Sequence, residues 1–125
     1  MLSKEGISIE VKTSAYLQSW DQQSLSKISF DIQPIYGWDS VTNEYDAEKK
    51  RQSDVYVFCV LKHKDQATLN PLDLSQWDFY VMSTAVLNKA APGQKTISLR
   101  SLLDKGAKQC EYAMLYETIK SEGAR

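Results

Sequence analysis

The sequence predicts an α/β domain built on a mixed β-sheet flanked by helices. Three observations carry that expectation. Residues 54–61, DVYVFCVL, are apolar at nearly every position, the mark of a central strand covered on both faces. Residues 7–13 (ISIEVKT) and 27–32 (KISFDI) alternate apolar with polar, the period of half-buried strands. The helical patterns all fall late in the chain, and strands followed by helices assemble as a sheet with a covering layer.

In the first strand, Ile7, Ile9 and Val11 face one way and Ser8, Glu10 and Lys12 the other. Gly6 precedes it, as expected of a tight turn at residues 4–6 leading from an earlier strand. Residues 13–26, TSAYLQSWDQQSLS, form a linker rich in hydroxyls and amides. In the second strand Ile28, Phe30 and Ile32 share the apolar face, and Pro34 and Gly37 end it. Residues 39–53 are polar and charged, expected as a loop with one short helical turn at 47–52. There Lys49, Lys50 and Arg51 are partly offset by Asp46 and Glu48. They read as a solvated helix face or loop rather than a phosphate clamp.

After the central strand, residues 63–70 are a polar excursion and Pro71 starts a turn. Residues 76–83, QWDFYVMS, are aromatic and β-branched enough for another strand. Thr84 can cap a short helix at 85–89, which Pro92-Gly93 terminates. Ser98 caps a helix at 99–105, with Gly106 as its C-terminal stop. Residues 112–122 form the last helix, with Met114, Leu115 and Ile119 spaced as one buried stripe.

The 125 residues suffice for one domain over residues 1–125, and 42% hydrophobic with 25% charged residues excludes a disordered tail. No apolar run approaches the roughly 18 residues of a membrane span. MLSKEGIS contains no apolar core of a secretory signal. Cys59 and Cys110 are too few for a disulfide framework, and Cys59 reads as a buried reduced thiol. A cytoplasmic location with no membrane partner is therefore expected. The net charge of −1 and pI near 5.8 argue against a strongly basic nucleic-acid coat. They leave room for an enzyme that reaches nucleic acid through a local patch and metal ions. His63 is the single histidine, so no zinc cluster is in view. No serine carries an elbow motif, and the five scattered glycines make no phosphate loop.

Glu10 and Lys12 carry the chemistry. Two residues apart on a strand, they emerge on one face. A carboxylate there can bind a hard cation such as Mg2+, with the Val11 carbonyl as a further oxygen ligand. A lysine beside the metal can orient a water and steady charge on a phosphoryl oxygen. Metal-assisted phosphodiester hydrolysis needs this grouping, usually completed by one more acid. By spacing alone, Glu-x-Lys on an exposed strand is most often a solvated charge pair.

The stretch IEVKTSAYLQSW resembles the Glu-x-Lys half of the PD-(D/E)xK nuclease signature. It is similar in particular to a group of bacterial proteins with the pattern IEVK-(S/T)-S-x-Y-x-Q-S-W. KISFDI, SDVYVFCVLKHKD, NPLDLSQWDFYVMST and QKTISLRSL fit the same group, so the resemblance extends from Gly6 to about Ile119. It implies a restriction-endonuclease-like fold acting on double-stranded DNA, with Glu10 as metal ligand and Lys12 as catalytic lysine. It also sets Gln18 near the site, where the alternative is a surface amide bonded to its own linker. Trp20 and Trp77 can stack on bases, although a lone tryptophan is more often core or rim packing.

One part of the pattern is missing. The family places an acid, normally Asp, on the strand before Glu-x-Lys, and a helix before that strand. In this chain both would lie upstream of Met1, and Glu5 is a poor substitute. The expectation is a domain lacking its first helix and strand. Asp31, opposite in parity to Ile28, Phe30 and Ile32, offers a replacement on the polar face. Two alternatives to a working nuclease stay open. One is a non-catalytic binding or assembly module of the same fold; the other is a generic α/β domain with an accidental Glu-x-Lys.

Overall fold

The chain was analysed as a computed structural model that describes residues 2–3, 6–17, 24–39 and 42–124, and the side chains of all of these but 37–39, 45 and 46. Its strands are β1 (Ile9–Ala15), β2 (Ser29–Asp31), β3 (Ile35–Asp39), β4 (Glu44–Lys50), β5 (Val55–Leu61), β6 (Trp77–Ser83), β7 (Thr96–Ser98) and β8 (Lys108–Cys110). Its helices are α1 (Thr84–Ala90), α2 (Leu99–Asp104) and α3 (Leu115–Gly123). Four strands form one sheet in the order β1-β5-β6-β8. β1 runs parallel to β5, while the β5–β6 and β6–β8 pairs are antiparallel. The mixed sheet flanked by helices is therefore present.

Every residue of β5 is buried, because its alternate side chains feed two separate apolar layers. Tyr56, Phe58 and Val60 join Tyr80 and Met82 of β6 on one face. Ile28, Phe30 and Ile32, Leu87 and Ala91 around α1, Ile97 of β7 and Leu102 of α2 cover that face. Val55, Val57 and Cys59 join Ile9, Phe79 and Val81 on the other face, which Leu115 and Ile119 of α3 cover. Phe58 is fully buried, with its ring centroid 4.9 Å from that of Phe30 and 5.7 Å from that of Tyr56. Burying one such ring stabilises the fold by about 1.5–3 kcal/mol from water exclusion alone.

Several local expectations are corrected. The segment expected as a loop with a helical turn at 47–52 is a β-hairpin, β3 paired antiparallel with β4. Asn43, in left-handed backbone at φ 59°, makes its tight reversal. Arg51 is not on a solvated face but 6% exposed. Its Nε donates to the Ile32 carbonyl at 2.8 Å, its Nη1 to Asn88 Oδ1 at 2.8 Å, and its Nη2 to the Ala91 and Gln94 carbonyls at 2.7 and 3.0 Å. That one side chain ties the chain after β4 to the end of β2 and the end of α1. The second strand is shorter than its pattern and pairs with β7, outside the main sheet. β7 and β8, three residues each, are too short to carry a readable period.

The helix signals fare better. Ser98 caps α2, accepting from the Ser101 N–H, and Gly106 follows at φ 94°, a backbone that side chains with a Cβ resist. α1 is capped one residue earlier than expected, by Ser83, which accepts from the Val86 N–H. Thr84 turns away and donates to the Ser53 carbonyl at 2.6 Å. The last helix begins as a 3-10 turn, Tyr112–Met114, before α3. Met114 is 55% exposed, so the apolar stripe that packs on the sheet is Leu115 and Ile119, both half-buried. No helix of the described residues is long and apolar enough to cross a membrane.

Phe58→Ala is expected to cost about 3–5 kcal/mol through lost transfer energy and a ring-sized cavity. Val11→Ala, at 43% exposed on the edge strand, should change stability by no more than about 0.5 kcal/mol. Urea denaturation of the two variants checks both.

Candidate functional site

The site begins with how β1 is held. The Ser8 N–H donates to Asp54 Oδ2 at 2.9 Å, and the Ser8 carbonyl accepts from the Asp54 and Val55 N–H groups at 2.9 and 3.1 Å. The Asp54 carbonyl in turn accepts from the Thr84 N–H at 2.9 Å. Asp54 thus fixes the first residue of β5 against both β1 and the start of α1. The resulting register sets Glu10 beside Tyr56 and Lys12 beside Phe58. A slip by one residue would turn both charges to the opposite face.

Glu10 and Lys12 emerge together, with Lys12 Nζ 3.2 Å from Glu10 Oε1. The lysine side chain is 28% and the glutamate side chain 42% exposed. They stand at the rim of the larger apolar layer, on the edge strand of the sheet. An ion pair this open contributes only about 0–1 kcal/mol, so the fold does not depend on it. The Val11 carbonyl lies between them. Carbonyls of successive strand residues point to alternate sides, and that of Ser8 points to β5. Those of Glu10 and Lys12 do the same, which turns the Val11 carbonyl outward from the open edge.

Tyr56 joins this rim from below. Burial, then the Glu10 carboxylate, push its phenol above the usual range. Asp31 adds to the rise, while Arg51 opposes it. Glu10 and Asp31 therefore bear on the same hydroxyl from two strands, β1 and β2. Asp31 is exposed, and its Oδ1 accepts from the Gln33 N–H at 3.0 Å. Among the described residues, no three His, Cys, Asp or Glu side chains come together to hold a metal ion. The oxygen donors at hand are the Glu10 carboxylate and the Val11 carbonyl, with Asp31 near. They fit magnesium in kind, since that ion commonly takes one or two carboxylates and completes its shell with water and substrate phosphate.

Other sequence candidates separate from the rim. Gln18 and Trp20 lie outside the described residues. Trp77 packs on the second apolar layer and its Nε1 donates to the Pro71 carbonyl at 2.9 Å, so its placement is rim packing. His63 Nε2 lies 2.6 Å from Thr68 Oγ1, and among the described residues no group of three His, Cys, Asp or Glu forms around it. Cys59 is a free thiol, pushed up to about 11 by burial and then by the neighbouring Cys110, which removes it as a nucleophile at neutral pH. Tyr56 is the residue that sequence reasoning missed. Its place in an unbroken apolar run reads as core, and only pairing with β1 puts its hydroxyl beside Glu10.

A family model described as bacteriophage T4 endonuclease IV matches residues 1–101, a span that contains the whole rim. The chain belongs to the bacteriophage T4 endonuclease IV family. No curated protein and no solved structure matches. The family is nuclease-related, so Glu10 and Lys12 stand within the matched part, and only β8, α3 and the rest of the chain after residue 101 fall outside it.

The two thiols should behave differently. In the native protein at pH 8, Cys110, partly exposed, is expected to react with iodoacetamide while Cys59 resists, as read by mass spectrometry. The Cys59 thiol is raised in the folded state, so it favours folding below its usual value of 9.0. That contribution is lost as pH climbs from there towards about 11. Stability in urea should fall across that window, and fall less in Cys59→Ala.

Proposed function

We propose that this chain is a metal-dependent endonuclease that hydrolyses DNA phosphodiesters, with Glu10 and Lys12 as its chemical centre. The observation that carries the reading is the coincidence of two facts. The chain belongs to an endonuclease family over residues 1–101, and within that span a carboxylate and an ammonium project together, 3.2 Å apart, from an open sheet edge. A pair that contributes so little to stability is free to serve a substrate.

Glu10, the outward carbonyl of Val11 and the nearby Asp31 would hold Mg2+, which when bound supplies a Lewis acid for the phosphoryl oxygen. Lys12 stands where its ammonium can hold a water for attack and offset the negative charge that grows on the phosphate oxygens. In the overall step a water oxygen adds to phosphorus, one P–O ester bond breaks, and the leaving alkoxide takes up a proton. Glu10 aims Lys12, since the two are already in hydrogen-bonding range. Gln18, six residues beyond Lys12, is assigned to hold substrate or water on the strength of the family resemblance. The fold proposed for this chemistry is the restriction-endonuclease-like one, with Asp31 in place of the acid that the pattern puts on an earlier strand.

A second reading, a non-catalytic nuclease-fold module that binds or assembles without cutting, draws on the absence of a three-residue metal group among the described residues. The two readings part in one experiment. Plasmid DNA should be nicked by the chain in Mg2+, and Lys12→Ala and Glu10→Gln should each lower the rate by at least about a hundredfold, with urea midpoints close to that of the parent. Cleavage that persists unchanged in Lys12→Ala would end the nuclease assignment. An intact parent protein with no cleavage and no calorimetric heat from Mg2+ selects the module.

A further inference from the structure

A second charged feature lies on the same side of the sheet. A cleft of about 430 Å³ opens where the end of β4 meets the turn after β2 and the loop after α1. Lys49, Lys50, Arg51 and Lys95 line it, with Gln33 and Asn88, and among the described residues no carboxylate is in its lining. Four cationic residues converge here in a protein whose net charge is −1. Like charges gathered in one concavity repel, and a cleft concentrates their field. Arg51 makes the cluster permanent. Its guanidinium is locked by three carbonyl oxygens and one amide oxygen, none of them charged. The side chain is buried, so water does little to screen its charge.

Two observations say what the cleft faces. Tyr36, across the hairpin from Lys49, is 47% exposed and has the Lys49 ammonium 5.4 Å from its ring centroid. The exposed ring holds the Lys49 ammonium by a cation–π contact at the mouth of the hairpin. Tyr56 pairs in register with Glu10 of the rim, and the charges of Glu10, Arg51 and Asp31 all reach its hydroxyl. Gln33, which lines the cleft, bonds Asp31 through its backbone N–H. The cleft and the rim are thus neighbours along one surface.

We infer that the cleft of Lys49, Lys50, Arg51 and Lys95 seats a non-scissile backbone phosphate of the DNA whose neighbouring phosphodiester lies at the Glu10–Lys12 rim. The inference rests on the nuclease reading for its choice of DNA. Lys49 and Lys95, both exposed in the lining, supply ammonium groups to the phosphate. Arg51 supplies a fixed field beneath them. The seat sets register along the strand and reads no base.

The test is binding without cleavage. Fluorescence anisotropy with a labelled 20-base-pair duplex, in EDTA and across a salt series, removes any dependence on Mg2+ chemistry. Lys49→Ala/Lys95→Ala, both exposed positions, should weaken binding and lower the slope of log affinity against log salt by about 0.9, the share of the one phosphate that the two lysines neutralise together. A control pair on α3 and β8, Lys108→Ala/Lys120→Ala, should leave both quantities at parental values. Equal slopes for parent and Lys49→Ala/Lys95→Ala, or a parent that binds no duplex, would overturn the inference. So would stabilisation of the parent by millimolar inorganic phosphate that Lys49→Ala/Lys95→Ala abolishes while duplex binding stays intact, because the cleft would then serve a free anion. A parent that binds with the expected slope yet never cuts DNA refutes the nuclease reading and leaves the phosphate seat standing.

Discussion

The structure depends on the register of one edge strand against one buried strand. β5 is apolar on both faces, so it has no polar side to present and must lie inside the sheet. β1 covers one of its edges and is polar on alternate residues. The Asp54 carboxylate and backbone decide which of those residues meet Tyr56 and Phe58, by clamping Ser8 from both its N–H and its carbonyl. The energy in those few hydrogen bonds is small, about 1 kcal/mol each. Their effect on which side chains share a face is large, because parity is all or none. With the register as it stands, Glu10 and Lys12 share a face and the Val11 carbonyl looks outward from the sheet.

The two apolar layers explain why such a site can stay open. Ile28, Phe30, Ile32, Leu87, Ile97 and Leu102 supply cover for the larger layer from short elements that add little to the main sheet. Those elements leave Glu10 and Lys12 at a half-exposed rim. Full burial would impose a desolvation cost of several kcal/mol on each charge. Full exposure would leave them screened and unaimed. The rim lies between, with a phenol below it and an exposed carboxylate, Asp31, to one side.

Arg51 plays the corresponding part for the far side of the same surface. A buried guanidinium satisfied by carbonyl oxygens organises three chain segments at once, the ends of β2 and α1 and the loop before β7. It also carries a full positive charge, held by neutral oxygens, to the floor of a cleft. Stability and electrostatics are therefore served by one side chain.

By itself the sequence determined the pattern of layers and the common face of Glu10 and Lys12. Seven consecutive apolar residues at 55–61 can satisfy only an inner strand, and ISIEVKT can place Glu10 and Lys12 only on a common face, because strand parity is a local property of the backbone. Ser98 and Gly106 marked a helix for the same local reason. The tertiary structure alone decided the rest. The hairpin of β3 and β4 looked like loop, since its cross-strand pairing outweighs the poor strand propensity of Glu44–Lys50. Arg51 looked solvated, since its carbonyl partners come from residues 32, 91 and 94, distant in the chain. Tyr56 beside Glu10, and Lys95 beside Lys49 and Lys50, are likewise contacts across the fold. Side chains that meet only after the chain has closed on itself leave no period for a linear reading to find.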